Sequence, residues 1–168
     1  MSRSIVTVIV VLAGMLPTAG WAASPPPVYA HMNGGNYFLE PVVAVLPGQK
    51  VVFVNQDTDA HTVVFYDPRT GSPLPNKIGT ISGTKGPTDA ISTYSVSFNH
   101  PGFKFYYCSV HAQLKPTFNK LVQPVKRAGT GGFAGPMAGV VVVTTDTALL
   151  QQNPPTTAER VLDGFFGG

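Results

Sequence analysis

An all-β single domain is the fold class this sequence predicts, and three observations predict it. The 168 residues leave room for one core rather than two. The 18 Gly and 16 Pro, about a fifth of the chain, are more punctuation than a helix-rich protein tolerates. Short β-prone runs alternate with turn chemistry along most of the length, as in a two-sheet sandwich or a barrel. At 11% charged residues, well below the usual ~25%, the chain is neither a charge-driven disordered segment nor a coiled coil. Its single cysteine excludes an intramolecular disulfide, a Cys-pair zinc site and a two-thiolate metal centre.

The elements follow in order. Arg3, an apolar run over 5–12 and small residues at Gly20 and Ala22 predict a secretory signal peptide over 1–22. Pro17 breaks the run short of the ~20 residues a membrane span needs, so no stable span is expected after cleavage. Residues 23–27 form a Pro-rich leader that lacks ladder donors. The domain proper is placed at 28–145, with strands expected at 37–46, 50–55 and 61–66, the first closed by the turn pair Pro47-Gly48. Residues 67–89, rich in Pro, Gly, Ser and Thr, read as a long loop with one short strand at 78–81. Over 90–98 the alternation sets Tyr94, Val96 and Phe98 on one side, and strands at 103–108 and 138–144 complete the set. Residues 112–136 are expected as a long inserted loop before the last strand. In the tail, 146–168, the capping-box spacing from Thr156 to Glu159 and the apolar Val161, Leu162 and Phe165 predict a short helix.

Export sharpens the meaning of the lone Cys108. In an oxidising compartment it is buried and inert, joined to another chain, or occupied by a metal. Its neighbours favour the metal. His111 lies three residues further on, His61 opens its own strand after a polar turn, and Met137 opens the last strand. Two imidazoles, one thiolate and a distant thioether are the His₂Cys set with a weak axial Met that suits copper electron transfer. His31 and His100 lack ligand spacing to Cys108 and are read as structural.

These residues resemble the plastocyanin-type cupredoxins, the blue copper proteins. The resemblance is carried by Phe38, Pro47-Gly48, Val51 through Asn55, His61 through Phe65, Pro101-Gly102, Phe105 through Cys108, His111, and Met137 through Gly139. It covers about 28–144 and includes the 47-residue separation of His61 from Cys108. It implies a Greek-key β-sandwich and one copper ion. The implied ligands are His61 Nδ1, the Cys108 sulfur and His111 Nδ1, with Met137 as a long axial ligand, His111 partly exposed and His61 more buried. One departure stands out: residues 112–136 separate His111 from Met137, where the family places its axial Met a few residues after the second His. Gln113, a backbone carbonyl or an open position are the other axial options.

The expected function is that of an exported, periplasmic, mononuclear copper protein that carries single electrons between redox partners and is not an enzyme. Copper delivery and copper redox catalysis at an open coordination position are the alternatives. After the leader only Met32 and Met137 remain, with no Met-rich tract to favour delivery, and no His-x-His pair exists for a multicopper cluster. Lys104, Lys115, Lys120, Lys126 and Arg127 fall between Asp89 and Asp146 with no acid among them, which predicts docking to a redox partner with an acidic patch. Nucleic acid is disfavoured by export and by the lack of aromatic and basic interleaving.

Overall fold

The computed structural model describes residues 24–84, 86, 89–117, 119–131, 135–154 and 157–158. The expected signal peptide and the helix expected beyond Thr156 lie outside the described residues. The leader from Ser24 to Pro27 is irregular and exposed, as its prolines dictate. No helix among the described residues is long and apolar enough to cross a membrane.

Among the described residues, eleven strands and one helical turn build the fold. They are β1 (Val28–Asn33), β2 (Tyr37–Phe38), β3 (Val42–Val45), β4 (Lys50–Asn55), β5 (His61–Tyr66), β6 (Pro73–Ile81), β7 (Ser92–Ser97), β8 (Gly102–Tyr107), β9 (Ala112–Pro116), β10 (Val122–Lys126), β11 (Ala138–Val143) and α1 (Thr147–Leu150). One sheet runs β2-β1-β4-β7 and the other β3-β11-β8-β5-β6, while β9 and β10 form a separate two-stranded hairpin. The chain crosses between the sheets at β2 to β3, β3 to β4, β4 to β5, β6 to β7 and β7 to β8, giving the expected Greek-key sandwich. Parallel pairs β1·β4 and β3·β11 sit beside antiparallel ones.

Alternation places the core. Val51 and Phe53 of β4 face Val63 and Phe65 of β5, Tyr106 of β8 and Val141 of β11, all fully buried. Phe53 is ringed edge-on by Phe38, Phe65 and Tyr106 at centroid distances of 6.0, 6.0 and 5.0 Å. Each such pair contributes about 0.5–1.5 kcal/mol beyond the area it buries. Gly48, at φ 82°, takes the left-handed position of the Pro47-Gly48 turn and donates to the Phe98 carbonyl at 2.9 Å.

Three expectations are corrected. The run 37–46 is not one strand: it breaks around Pro41, leaving β2 in one sheet and β3 in the other. Within 67–89 the strand expected at 78–81 is longer, since β6 extends from Pro73 to Ile81. Pro73 and Pro75 argue against a strand in sequence, but β6 is an edge strand, where missing donors cost no ladder bond. The insertion is likewise not a plain loop. It carries β9 and β10 paired from Ala112↔Lys126 to Pro116↔Val122, with Lys120 at φ 63° in the turn. Among the described residues helix occurs at α1, a turn the sequence reading did not anticipate, capped by the Asp146 side chain accepting from Ala148 N.

Candidate metal centre

Two strand ends and one turn bring the donors together. His61 opens β5 and is fully buried, and Cys108 follows the last residue of β8. The Cys108 carbonyl accepts from His111 N at 3.2 Å and from Ala112 N at 2.8 Å, a tight turn that folds His111 back beside the sulfur. His61 Nδ1 lies 3.8 Å and His111 Nδ1 3.5 Å from Cys108 Sγ. The three donor atoms are all within 4.8 Å of one another. His111 is 8% exposed against 0% for His61, so its imidazole is the one nearer the rim, although only barely open.

Polar contacts around the donors orient them. His61 Nε2 is 2.9 Å from Asp57 Oδ2, and a carboxylate can only accept, so Nε2 carries a proton and, in the neutral ring, Nδ1 turns its lone pair toward the sulfur. Asp57 is itself held, its N–H donating to Asn55 Oδ1 at 2.9 Å and its carbonyl accepting from Thr84 N at 2.7 Å. Asn55, fully buried, donates to the carbonyls of Asp59 and Ser82. On the sulfur side Thr62 N donates to Cys108 Sγ at 3.4 Å, and Thr62 Oγ1 accepts from Ser109 N at 2.7 Å.

These contacts set the charges. Burial pushes the Cys108 thiol up, but hydrogen bonds from His61, the Thr62 amide and His111 outweigh it and hold the thiol down at about 6. Burial pulls His61 down, yet its bonds to Cys108 and Asp57 leave its pKa above the ordinary 6.5. The site therefore favours a thiolate near neutral pH, the form a metal ligand must take.

Met137 is 1% exposed and shares the core cluster with Cys108, and its carbonyl accepts from Cys108 N at 2.9 Å. Gln113 lies on β9, half-buried and paired with Val125 in the hairpin. His31 is fully buried elsewhere, its Nδ1 3.1 Å from Glu40 Oε2, and His100 is exposed in a turn. Neither belongs to the donor group among the described residues.

Sequence reading missed the residues that orient the donors. Asp57 stands four positions before His61 in the polar turn, and Thr62 directly follows it, so both had a positional signal. Arg127 had none. Read as a docking charge, its guanidinium instead donates to the carbonyls of Ser109 at 3.0 Å and Ala112 at 3.4 Å, while its N–H donates to His111 O at 2.9 Å. The end of the hairpin is thereby tied across the turn that carries His111.

No family model and no curated protein matches this chain. Among solved structures it is similar to a reduced amicyanin variant, at 19% identity over 72% of this chain and 85% of that one, with a TM-score of 0.46. A purple cupredoxin from Nitrosopumilus maritimus is similar at 17% identity, covering 70% and 99% of the two chains, TM-score 0.46. A copper-containing nitrite reductase from Thermus scotoductus is similar at 22% identity over 79% of this chain but only 26% of that one, TM-score 0.45. At these identities and TM-scores the likenesses carry no argument about chemistry. The fit to a metal rests on the chain's own donors: one soft thiolate and two imidazoles, buried and converging, are a set that suits copper.

Proposed function

We propose that this chain is a cupredoxin that carries single electrons between redox partners, with one copper held by His61, Cys108 and His111 and with Met137 as the axial ligand. The observation that carries the reading is the convergence of a low-pKa thiol and two Nδ1 atoms at the buried end of a rigid sandwich. Copper bound there would supply a one-electron couple. The chain's own residues do the rest. Asp57 and the Asn55 brace orient His61, while Thr62 and Ser109 keep the sulfur from rotating. Donors anchored this way move little between oxidation states, which lowers the barrier to transfer. Burial of Cys108 and His61 keeps water off the donors, and His111, nearer the surface, is the side from which electrons are exchanged. Export to the periplasm by 1–22 and a partner with an acidic patch complete the reading.

Adding Cu(II) to the purified chain tests it. An intense thiolate-to-copper band in the visible spectrum with narrow copper hyperfine splitting is expected. Absence of any thiolate charge-transfer band sinks the reading. Colourless stoichiometric Cu(I) binding would favour delivery instead.

A further inference from the structure

The hairpin that interrupts the expected pattern builds one wall of a surface groove. Tyr66, Phe105, Val140 and Val42 are register partners across four neighbouring strands, β5, β8, β11 and β3, and so form one row on one face of the sheet. Their chain neighbours Phe65, Tyr106, Val141 and Val43 point into the core, so this row faces outward. An outward face of a sandwich normally carries polar residues. Here Leu121 and Val122 of the hairpin stand beside the row, enclosing an apolar groove of about 440 Å³. Val42 is 57% and Leu121 41% exposed, so the apolar surface is open to solvent.

The flanks are basic. Arg69 follows the groove residue Pro68, Lys120 precedes Leu121, and Lys115 is the register partner of the groove residue Gln123; all three are exposed. Carboxylates are scarce there: Asp67 Oδ1 accepts from Arg69 N within its own turn, and Glu40 is buried against His31. Between residues 90 and 145 there is no acid at all.

We propose that this groove is the docking surface for an acidic redox partner that seats an apolar side chain between β10 and β11. The inference rests on the electron-carrier reading and places its partner on the hairpin side of the sheet. Charge complementarity decides the occupant. A second copy of this chain brings a formal +3 to an already basic face, whereas an acidic partner gains steering from Arg69, Lys115 and Lys120. The apolar row then supplies burial at short range.

The test is an amide-shift titration of the purified full chain with an acetylated Asp-Glu-Leu-Phe-Glu-Asp amide peptide. A control peptide has Lys at every acidic position. Saturable shifts confined to Leu121 through Gln123 and Ala138 through Val140 are expected, weakening roughly tenfold from about 20 mM to about 0.5 M salt. The double variant Lys115→Glu, Lys120→Glu and the separate Leu121→Glu should each abolish them. No shifts, equal binding of the control peptide, or shifts at Val110 and His111 instead overturn the proposal. So do groove shifts caused by Phe165→Ser without peptide, which would mean that the chain's own tail fills the groove, or concentration-dependent shifts of the chain alone. The visible copper spectrum separates the two readings. A full thiolate band with no groove shifts overturns the docking surface alone, and groove binding without that band overturns the electron carrier alone.

Discussion

Asp57 Oδ2 accepts from His61 Nε2 at 2.9 Å, and both groups are buried. That bond selects the tautomer that leaves Nδ1 facing Cys108 and strengthens the imidazole as a donor. Asp57→Asn removes the charge while keeping the shape. The expected result is a higher reduction potential and about 10–100-fold weaker Cu(II) binding with an unchanged fold. Voltammetry and a competition titration read both. An unchanged potential would leave Asp57 a purely structural role.

Cys108 and His61 titrate in opposite senses in the metal-free chain. Cys108 is held at about 6 against an ordinary 9.0, so its contribution to stability is fully present above pH 9 and is lost as pH falls through about 6. His61 is raised, so its contribution is present below 6.5 and is lost as pH rises through its folded value. Urea midpoints of the metal-free chain should therefore fall on the acid side, as pH drops from 9 through about 6, with the His61 contribution opposing that slope above 6.5. Cys108→Ser should flatten the acid limb, and it should abolish any visible band with copper.

Met137→Leu keeps the volume of a side chain only 1% exposed, so it should cost less than about 1.5 kcal/mol. Copper should be retained and the reduction potential should shift, because the axial donor tunes it. Gln113→Ala should leave the potential where it was. The opposite pattern in voltammetry would assign Gln113 as the axial ligand.

Arg127→Ala releases two backbone carbonyls, Ser109 O and Ala112 O, from a charged donor at an exposed position. A modest loss of stability, about 1 kcal/mol, is expected. Faster hydrogen exchange at Ala112 and Val125 should accompany it, since the same side chain ties the hairpin to the turn. Arg127→Lys should recover only part, because an ammonium lacks the planar fork.

Gly139→Ala would drive a methyl into the Pro41 carbonyl and the Tyr106 hydroxyl. A backbone atom cannot swing away as a side chain can, so the β11·β3 pairing beside Pro41 must shift. About 1–3 kcal/mol of destabilisation is expected from thermal unfolding.

Strands with strong alternation were legible in the sequence: β4 and β5 fall at the expected residues, 50–55 and 61–66. Local propensity failed where prolines sit in edge or hairpin strands, as at Pro73, Pro75 and Pro124. A missing N–H disqualifies a central strand but not one whose donor side has no partner, and the sequence does not say which strands are edges. The tail's helical pattern falls outside the described residues, and α1 arises from a separate cap at Asp146.

Residue type and spacing alone singled out His61, Cys108, His111 and Met137, because few side chains can serve as soft donors and the expected export would remove the ordinary fate of a lone thiol. Tertiary structure alone decided what surrounds them. Asp57 and Thr62 became orienting groups only once the Asn55 brace fixed the polar turn, and Arg127 turned from a surface charge into a brace across the His111 turn. It also decided that the unexplained stretch after His111 carries a hairpin, β9 and β10, beside a groove rather than a loose loop. The physical reason is range. Donor chemistry belongs to single side chains, whereas hydrogen-bond direction, burial and edge position depend on residues far away in the chain that only folding brings near.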